Sequence, residues 1–174
     1  MVLLTSVVPT SLSRRTFAAS LLFALPAVGA RAAPCPPPAV LFVCPVGTVK
    51  SAIAREVLRA RAAEAGLKVQ VQSRGLHPEN HVSPGLAVNL KADGIDPAAE
   101  PVRELQASDV SQADIVIAFD EAAAAPLLRR ARVWDVPSWN SSYAEAKAAL
   151  ATQMDALMAE LLARSRDCAG DPAP

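Results

Sequence analysis

The sequence predicts an α/β fold, a parallel β-sheet with helices on both faces. Strand-like and helix-like segments alternate along the chain, which is typical of parallel strands joined by helical crossovers. Residues 39–43 form a continuous apolar run, as expected of a central strand that is buried on both sides. A short turn-like run over residues 44–51 then leads into the first helix. These features predict a three-layer sandwich with a ligand site at the carboxyl ends of the strands.

The other elements follow from hydrophobic periodicity. In the first helix, residues 51–65, apolar side chains form one stripe, and Arg55, Glu56 and Arg59 are expected to face solvent. Residues 67–73 alternate apolar and polar side chains, which predicts a half-exposed strand at the sheet edge. The pattern further predicts a helix over 84–92, a strand over 115–119, a helix over 121–130, a strand over 132–136 and a helix over 143–163.

The first 32 residues are predicted to be an export signal. Ser13-Arg14-Arg15-Thr16-Phe17 has the twin-arginine pattern, a modest apolar stretch follows, and Ala30-Arg31-Ala32 offers small residues for cleavage. The apolar stretch is short for a bilayer core of about 30 Å, although an uncleaved anchor is the alternative. We therefore expect a periplasmic protein, without stable membrane association after cleavage, in which residues 33–174 form a single domain.

Composition argues against several classes of partner. The chain has 17 basic and 17 acidic side chains, and three of the basic ones lie in the predicted signal, so the mature domain has a formal charge of −3. With aromatic residues at only 4%, this charge gives no support to nucleic-acid binding. His77 and His81 lack further ligands at a suitable spacing, so we expect polar loop residues and no metal. We also expect no cofactor and a monomeric protein.

The run from Cys44 to Ser51 indicates an anion site with a nucleophile at its floor. Backbone N–H groups of a tight loop at a helix N-terminus converge on one centre, and the helix dipole adds positive charge there. Both effects favour a bound oxyanion and the thiolate form of Cys44. The predicted oxyanion-binding residues are Pro45, Val46, Gly47, Thr48 and Val49. The alternative is that Cys44 is a small buried side chain without reactivity.

This run resembles the signature of the low-molecular-weight protein tyrosine phosphatases, in which a cysteine is followed, after five residues, by arginine and then serine or threonine. The resemblance extends over nearly the whole mature chain, through Ser73-Arg74-Gly75 and the segments 101–105, 114–120 and 134–137. It implies a four-stranded parallel sheet in the order 2-1-3-4. It also implies that Cys44 is the nucleophile, that Ser51 supports its thiolate, and that the ligand is a phosphate-like oxyanion or a phosphorylated substrate.

Several residues depart from the family pattern. Lys50 replaces the arginine, which keeps the charge but loses the planar fork that holds two phosphate oxygens. Ser138 and Trp139 stand in place of the family's Asp-Pro, so the usual proton donor is missing. Asp135 is a weak candidate for the proton donor, because it could take that role only if the loop had a different shape. Glu100 stands where the family has a histidine. We therefore expect phosphomonoester hydrolysis to be weak or lost.

Three functions remain open at this point. The protein is a weak phosphatase that acts through Cys44, or it binds phosphate or a phosphorylated partner without turnover, or it is a thiol redox protein similar to the related arsenate reductases. The redox hypothesis needs two further cysteines near Cys44, and residues 76–101 contain none.

The other two cysteines are predicted to form a disulfide. Cys35 precedes the first strand, so it lies at the opposite end of the sheet from Cys44. The last helix should begin near the ligand edge after Pro137 and run back about 30 Å over some twenty residues, which brings Cys168 to Cys35. We expect a Cys35–Cys168 bond and a free Cys44. The alternative is that Cys35 and Cys168 are both unpaired tail residues.

Overall fold

Four parallel strands form a sheet in the order β2-β1-β3-β4, which confirms the predicted fold class and strand order. The strands are β1 (Ala39–Cys44), β2 (Gln70–Gly75), β3 (Ile115–Phe119) and β4 (Arg132–Trp134). The computed structural model describes residues 35–169. The predicted export signal, residues 1–32, therefore lies outside the described residues.

Helices cover the sheet on both faces. The α-helices are α1 (Lys50–Glu64), α2 (Pro84–Ala92), α3 (Ala107–Gln112) and α4 (Tyr143–Ala169), and 3-10 turns occupy Pro97–Ala99, Asp120–Ala124 and Pro126–Leu128. Among residues 35–169, no helix combines the length and apolar character that crossing a bilayer requires.

Successive residues of β1 pack into the two cores on opposite sides of the sheet. Val40 and Phe42 face α1 and α4, where they join a cluster that includes Ile53, Leu58, Leu150, Met154 and Leu157. Leu41 and Val43 face the other side, where they meet Leu105, Ala118 and Leu128. Because β1 is central and buried on both faces, its last residue, Cys44, is held in register beside Gly75 of β2.

A disulfide joins the two ends of the described chain. Cys35, just before β1, is bonded to Cys168 in the last turns of α4, with their Cα atoms 5.8 Å apart. The bond closes a sequence separation of 133 residues at the end of the sheet opposite Cys44. Cys44 is a free, buried thiol.

Several predicted elements differ from the structure in type or length. The strand expected over 132–136 ends at Trp134, the helix expected over 143–163 continues to Ala169, and α3 was not predicted. The helix expected over 121–130 is two 3-10 turns, because Pro126 cannot donate an N–H group and keeps Ala125 extended, with ψ of 137°. The strand expected over 67–73 begins only at Gln70, since the chain first has to leave α1 through Gly66, which has a left-handed φ of 64°.

Arg55 is buried, which corrects the expectation that it faces solvent. It is 1% exposed and donates hydrogen bonds to the Ser73 hydroxyl at 2.8 Å and to the Pro97 carbonyl at 3.1 Å. Its charge is balanced by Glu56 at 2.6 Å and by Glu100 at 3.7 Å. A buried guanidinium is tolerated because its donors are satisfied, so this cluster joins α1 to β2 and to the segment before Glu100.

Candidate active site

Cys44 ends β1, and the chain then makes a tight loop over residues 45–49 before α1 begins at Lys50. Gly47 has a φ of 76°, which glycine adopts without strain. The first backbone hydrogen bond of the helix runs from the Ile53 N–H to the Val49 carbonyl, 2.8 Å. The amides at the start of α1 therefore have no partner within the helix, and Val49 supplies no side-chain cap. This leaves donors and positive dipole charge directed at the loop.

The Cys44 sulfur is held by two polar contacts. The Gly47 amide donates to Sγ at 3.1 Å, and the Ser51 hydroxyl lies 3.1 Å from the same atom. The Ser51 hydroxyl is also within 3.2 Å of the Gly47 carbonyl and 3.3 Å of the Arg74 carbonyl. Its single hydrogen has three acceptors within reach, one of which is the Cys44 sulfur, so Ser51 is placed to donate a hydrogen bond to that sulfur.

The outer side of the loop is braced by the chain that follows β2. The amides of Leu76 and His77 donate to the carbonyls of Cys44, at 3.3 Å, and Pro45, at 2.9 Å. The Thr48 hydroxyl is turned to the Glu79 carbonyl, and Thr48 itself is only 2% exposed. Thr48 therefore fixes the loop through its side chain. His77 is exposed, as is His81 further along this segment.

An open pocket of about 480 Å³ lies in front of Cys44. It is lined by Cys44, Pro45, Val46, Val49, Lys50, Asp120, Glu121, Ser138, Trp139 and Asn140. The structure thus brings the loop together with the end of β3 and the segment after β4. Of the predicted loop residues, Gly47, Thr48 and Ser51 support the loop without lining the pocket.

Lys50 is fixed at the mouth of this pocket. Its ammonium group contacts Asp120 Oδ1 at 2.5 Å and the Val136 carbonyl at 2.5 Å. Only 14% of its side chain is exposed. Lys50 therefore joins the start of α1 to the residue that follows β3 and to the segment after β4.

Ser138 and Trp139 have separate roles in the pocket wall. Ser138 is exposed and brings only a hydroxyl to the position where the resemblance implies an acid. Trp139 is 3% exposed and packs edge-on against Tyr143, with ring centroids 5.3 Å apart. Asp135 is exposed and lies outside the residues that line the pocket. The wall thus contributes no carboxyl group from residues 135–140.

Hydrogen bonds to Asp93, the residue after α2, hold Tyr143 in place behind the pocket wall. Asp93, which follows α2, accepts from the Tyr143 hydroxyl at 2.5 Å and from the Lys147 ammonium at 2.7 Å. These bonds from Lys147 and Tyr143 hold the pKa of Asp93 below its ordinary value. Burial, together with the hydrogen bond to Asp93, raises the pKa of Tyr143 to about 12.

Asp120, Glu121 and Asn140 line the pocket although the sequence did not predict them as site residues, because the acidic run after β3 is also typical of the start of a helix. A usable signal was present. Asp120 directly follows a buried strand, and the carboxyl ends of parallel strands meet at one edge of the sheet, where Cys44 also lies.

Comparison with known families agrees with this geometry. The family model for low molecular weight phosphotyrosine protein phosphatase matches residues 39–163. The chain belongs to this family. The match covers the whole sheet and all but the end of α4, so the loop at Cys44 lies within the part of the chain that the family model matches.

Solved structures with the same fold include several phosphatases and arsenate reductases. The YwlE arginine phosphatase from Geobacillus stearothermophilus superposes with a TM-score of 0.60 at 21% identity, covering 75% of this chain and 97% of that one. A low molecular weight protein tyrosine phosphatase from T. tengcongensis gives 0.57 at 22%, covering 71% and 99%. An arsenate reductase in the phosphate-binding state gives 0.59 at 18%, covering 71% and 98%. No curated protein sequence is significantly similar to this chain.

Proposed function

We propose that this protein binds phosphate or a phosphorylated ligand through the Cys44 loop and hydrolyses phosphomonoesters slowly or not at all. The observation that carries the proposal is the Cys44 thiol, held by the Gly47 amide and the Ser51 hydroxyl at the floor of an open pocket. That geometry suits an oxyanion above the sulfur, since unpaired helix amides and the dipole of α1 are directed at the same place.

Slow hydrolysis follows from what the chemistry needs after the anion has bound. The Cys44 thiolate attacks phosphorus, a cysteinyl phosphate forms, and the bond to the leaving oxygen breaks, so that oxygen needs a proton. Ser138 cannot supply it, because a hydroxyl is far too weak an acid. Lys50 stabilises the transferring group less well than arginine, since it lacks the two-pronged contact to the equatorial oxygens.

Two measurements on the purified protein test this proposal. Calorimetric titration with phosphate should show saturable binding, which should weaken when a negative charge is added to the exposed pocket wall by Asn140→Asp, a change that keeps the size of the side chain. Hydrolysis of p-nitrophenyl phosphate should be far slower than that of an intact family member and should vanish in Cys44→Ser. A rate equal to that of ordinary family members contradicts impaired catalysis, and undetectable binding of phosphate contradicts the anion site.

The thiol redox alternative has less support. Within residues 35–169, the two other cysteines are bonded to each other at the far end of the sheet, so neither is placed to resolve an oxidised Cys44. The similarity in fold to arsenate reductases does not supply the further cysteines that this reaction needs. Reduction of arsenate therefore stays the alternative function. It would be eliminated if arsenate caused no oxidation of the Cys44 thiol.

We also propose that the protein is exported by its twin-arginine signal and acts in the periplasm as a monomer. The Cys35–Cys168 disulfide supports this location, because such bonds persist in oxidising compartments. Replacing Arg14 and Arg15 with lysine should keep the precursor in the cytoplasm, whereas unchanged delivery would eliminate the twin-arginine route. Light scattering of the mature protein checks the monomer.

A further inference from the structure

We propose that Asp120 is a positioning residue that holds the Lys50 ammonium and competes for it with a bound oxyanion. The inference rests on the proposed function, because it concerns the same pocket. Lys50 has three N–H donors, and two of them are directed at Asp120 Oδ1 and at the Val136 carbonyl, each 2.5 Å away. One donor is left for a ligand. An anion that accepts more than one hydrogen bond from Lys50 therefore has to displace Asp120.

The backbone of Asp120 indicates that this placement is enforced. Asp120 has a φ of 53° and is the single non-glycine residue within residues 35–169 with a positive φ. The left-handed region costs free energy for residues with a Cβ, although Asp and Asn tolerate it best. Such strain persists where neighbouring groups hold the residue in place. Here the ion pair between the Asp120 carboxylate and the Lys50 ammonium holds it.

Glu121 provides an internal comparison. It is the next residue along the chain, lines the same pocket and carries the same charge. Unlike Asp120, it forms no ion pair with any residue in the described part of the chain. Removing either carboxylate lowers the repulsion felt by an anion, but only the loss of Asp120 also frees Lys50.

The test uses inorganic sulfate as the probe, since its charge is constant across the working pH range. Asp120→Asn should bind sulfate at least about tenfold more tightly than wild type, because a charge-assisted hydrogen bond becomes available to the ligand. Asparagine tolerates the left-handed backbone, and Asp120→Gly should give the same gain without any side chain. The matched control, Glu121→Gln, should change affinity by less than about threefold, through longer-range charge alone.

A double-mutant cycle separates positioning from a general effect on charge or folding. In the Lys50→Met background, Asp120→Asn should improve sulfate affinity by less than about threefold, the size expected from the loss of a charge alone, and no longer by about tenfold. Equal gains in Asp120→Asn and Glu121→Gln, or a gain of about tenfold from Asp120→Asn that survives Lys50→Met, would overturn the inference while leaving the anion site standing. Absence of sulfate and phosphate binding in every variant would overturn the proposed function as well.

Discussion

Gly47, in the loop over residues 45–49, and Gly75, at the end of β2, approach so closely that neither position has room for a side chain. A Cβ on Gly75 would lie 2.8 Å from the Val46 carbonyl carbon and 2.9 Å from the Gly47 nitrogen. A Cβ on Gly47 would lie 2.8 Å from the Gly75 nitrogen and 2.6 Å from Val102 Cγ1. The shape of the loop therefore depends on direct backbone packing against β2.

Gly75→Ala should shift the loop and lower both stability and phosphate affinity. The new methyl group would meet backbone atoms, which cannot rotate away, so a loss of about 1–3 kcal/mol in the free energy of unfolding is expected. Urea unfolding and phosphate titration check the two effects. Gly85→Ala in α2 is the matched control, because a Cβ there meets nothing within 4 Å and should leave phosphate binding unchanged. Wild-type affinity in Gly75→Ala would show that the loop does not need this packing.

The sheet and the loop could be predicted from the sequence because both are encoded locally. An apolar run followed at once by a turn and an amphipathic helix places Cys44 at a strand end and Ser51 at a helix start, whatever the rest of the fold. The order of the strands came from the family resemblance, since periodicity does not specify which strands are neighbours. The structure agrees with that order.

The position of Asp120 at the sheet edge was predictable, but the side-chain contacts of the pocket wall were not, because they join distant segments. Lys50 and Asp120 are 70 residues apart and meet because β1 and β3 are adjacent strands. Arg55 lies on the buried side of α1 because Ser73 and the Pro97 carbonyl complete its hydrogen bonds. A helical wheel shows no such partners, so it assigns every arginine to solvent.

Returning positions 50 and 138 to the residues of the family pattern should raise the rate of phosphomonoester hydrolysis. In Lys50→Arg combined with Ser138→Asp, the guanidinium has five donors, enough to keep Asp120 and still contact the oxyanion, and the carboxyl group can protonate the leaving oxygen. A gain of about 10²-fold or more in p-nitrophenyl phosphate hydrolysis is expected from the acid alone. Trp139 should be kept, because it is buried against Tyr143 and its replacement by proline would leave a cavity.

The leaving group provides the control for this prediction. Because the wild-type protein lacks a proton donor, its hydrolysis rate should depend strongly on the leaving group. It should hydrolyse p-nitrophenyl phosphate far faster than phenyl phosphate. The double variant should narrow that difference, whereas Ser138→Asn, which adds an amide of similar size without an acidic proton, should not. An unchanged ratio between the two substrates in the double variant would show that position 138 is not placed to donate a proton.

Loss of the disulfide should destabilise the domain without affecting the anion site. Cys35→Ser and Cys168→Ser each open a covalent loop of 133 residues, so the free energy of unfolding should fall by about 2–5 kcal/mol. Urea unfolding measures the loss, and phosphate titration should show unchanged affinity because the bond lies at the other end of the sheet from Cys44. Peptide mapping under non-reducing conditions is the direct check. A bond that includes Cys44 would contradict both the pairing and the free nucleophile.

Tyr143 should titrate at unusually high pH, and it can be followed alone because it is the single tyrosine of the chain. Burial and the hydrogen bond to Asp93 raise its pKa to about 12, against about 10 in an unfolded chain. Its contribution to stability is therefore complete below pH 10 and is lost as the pH rises from about 10 to 12. Ultraviolet absorbance should show the high midpoint in wild type.

Asp93→Asn should lower that midpoint towards 10, because it removes the negative charge next to the phenol. Asp96→Asn is the matched control, since Asp96 accepts from the Ala98 amide and makes no contact with Tyr143. A wild-type midpoint near 10 would mean that the Asp93–Tyr143 bond is not formed in solution. Because Tyr143 packs against Trp139 in the pocket wall, that result would also remove the support proposed for the wall beside Cys44.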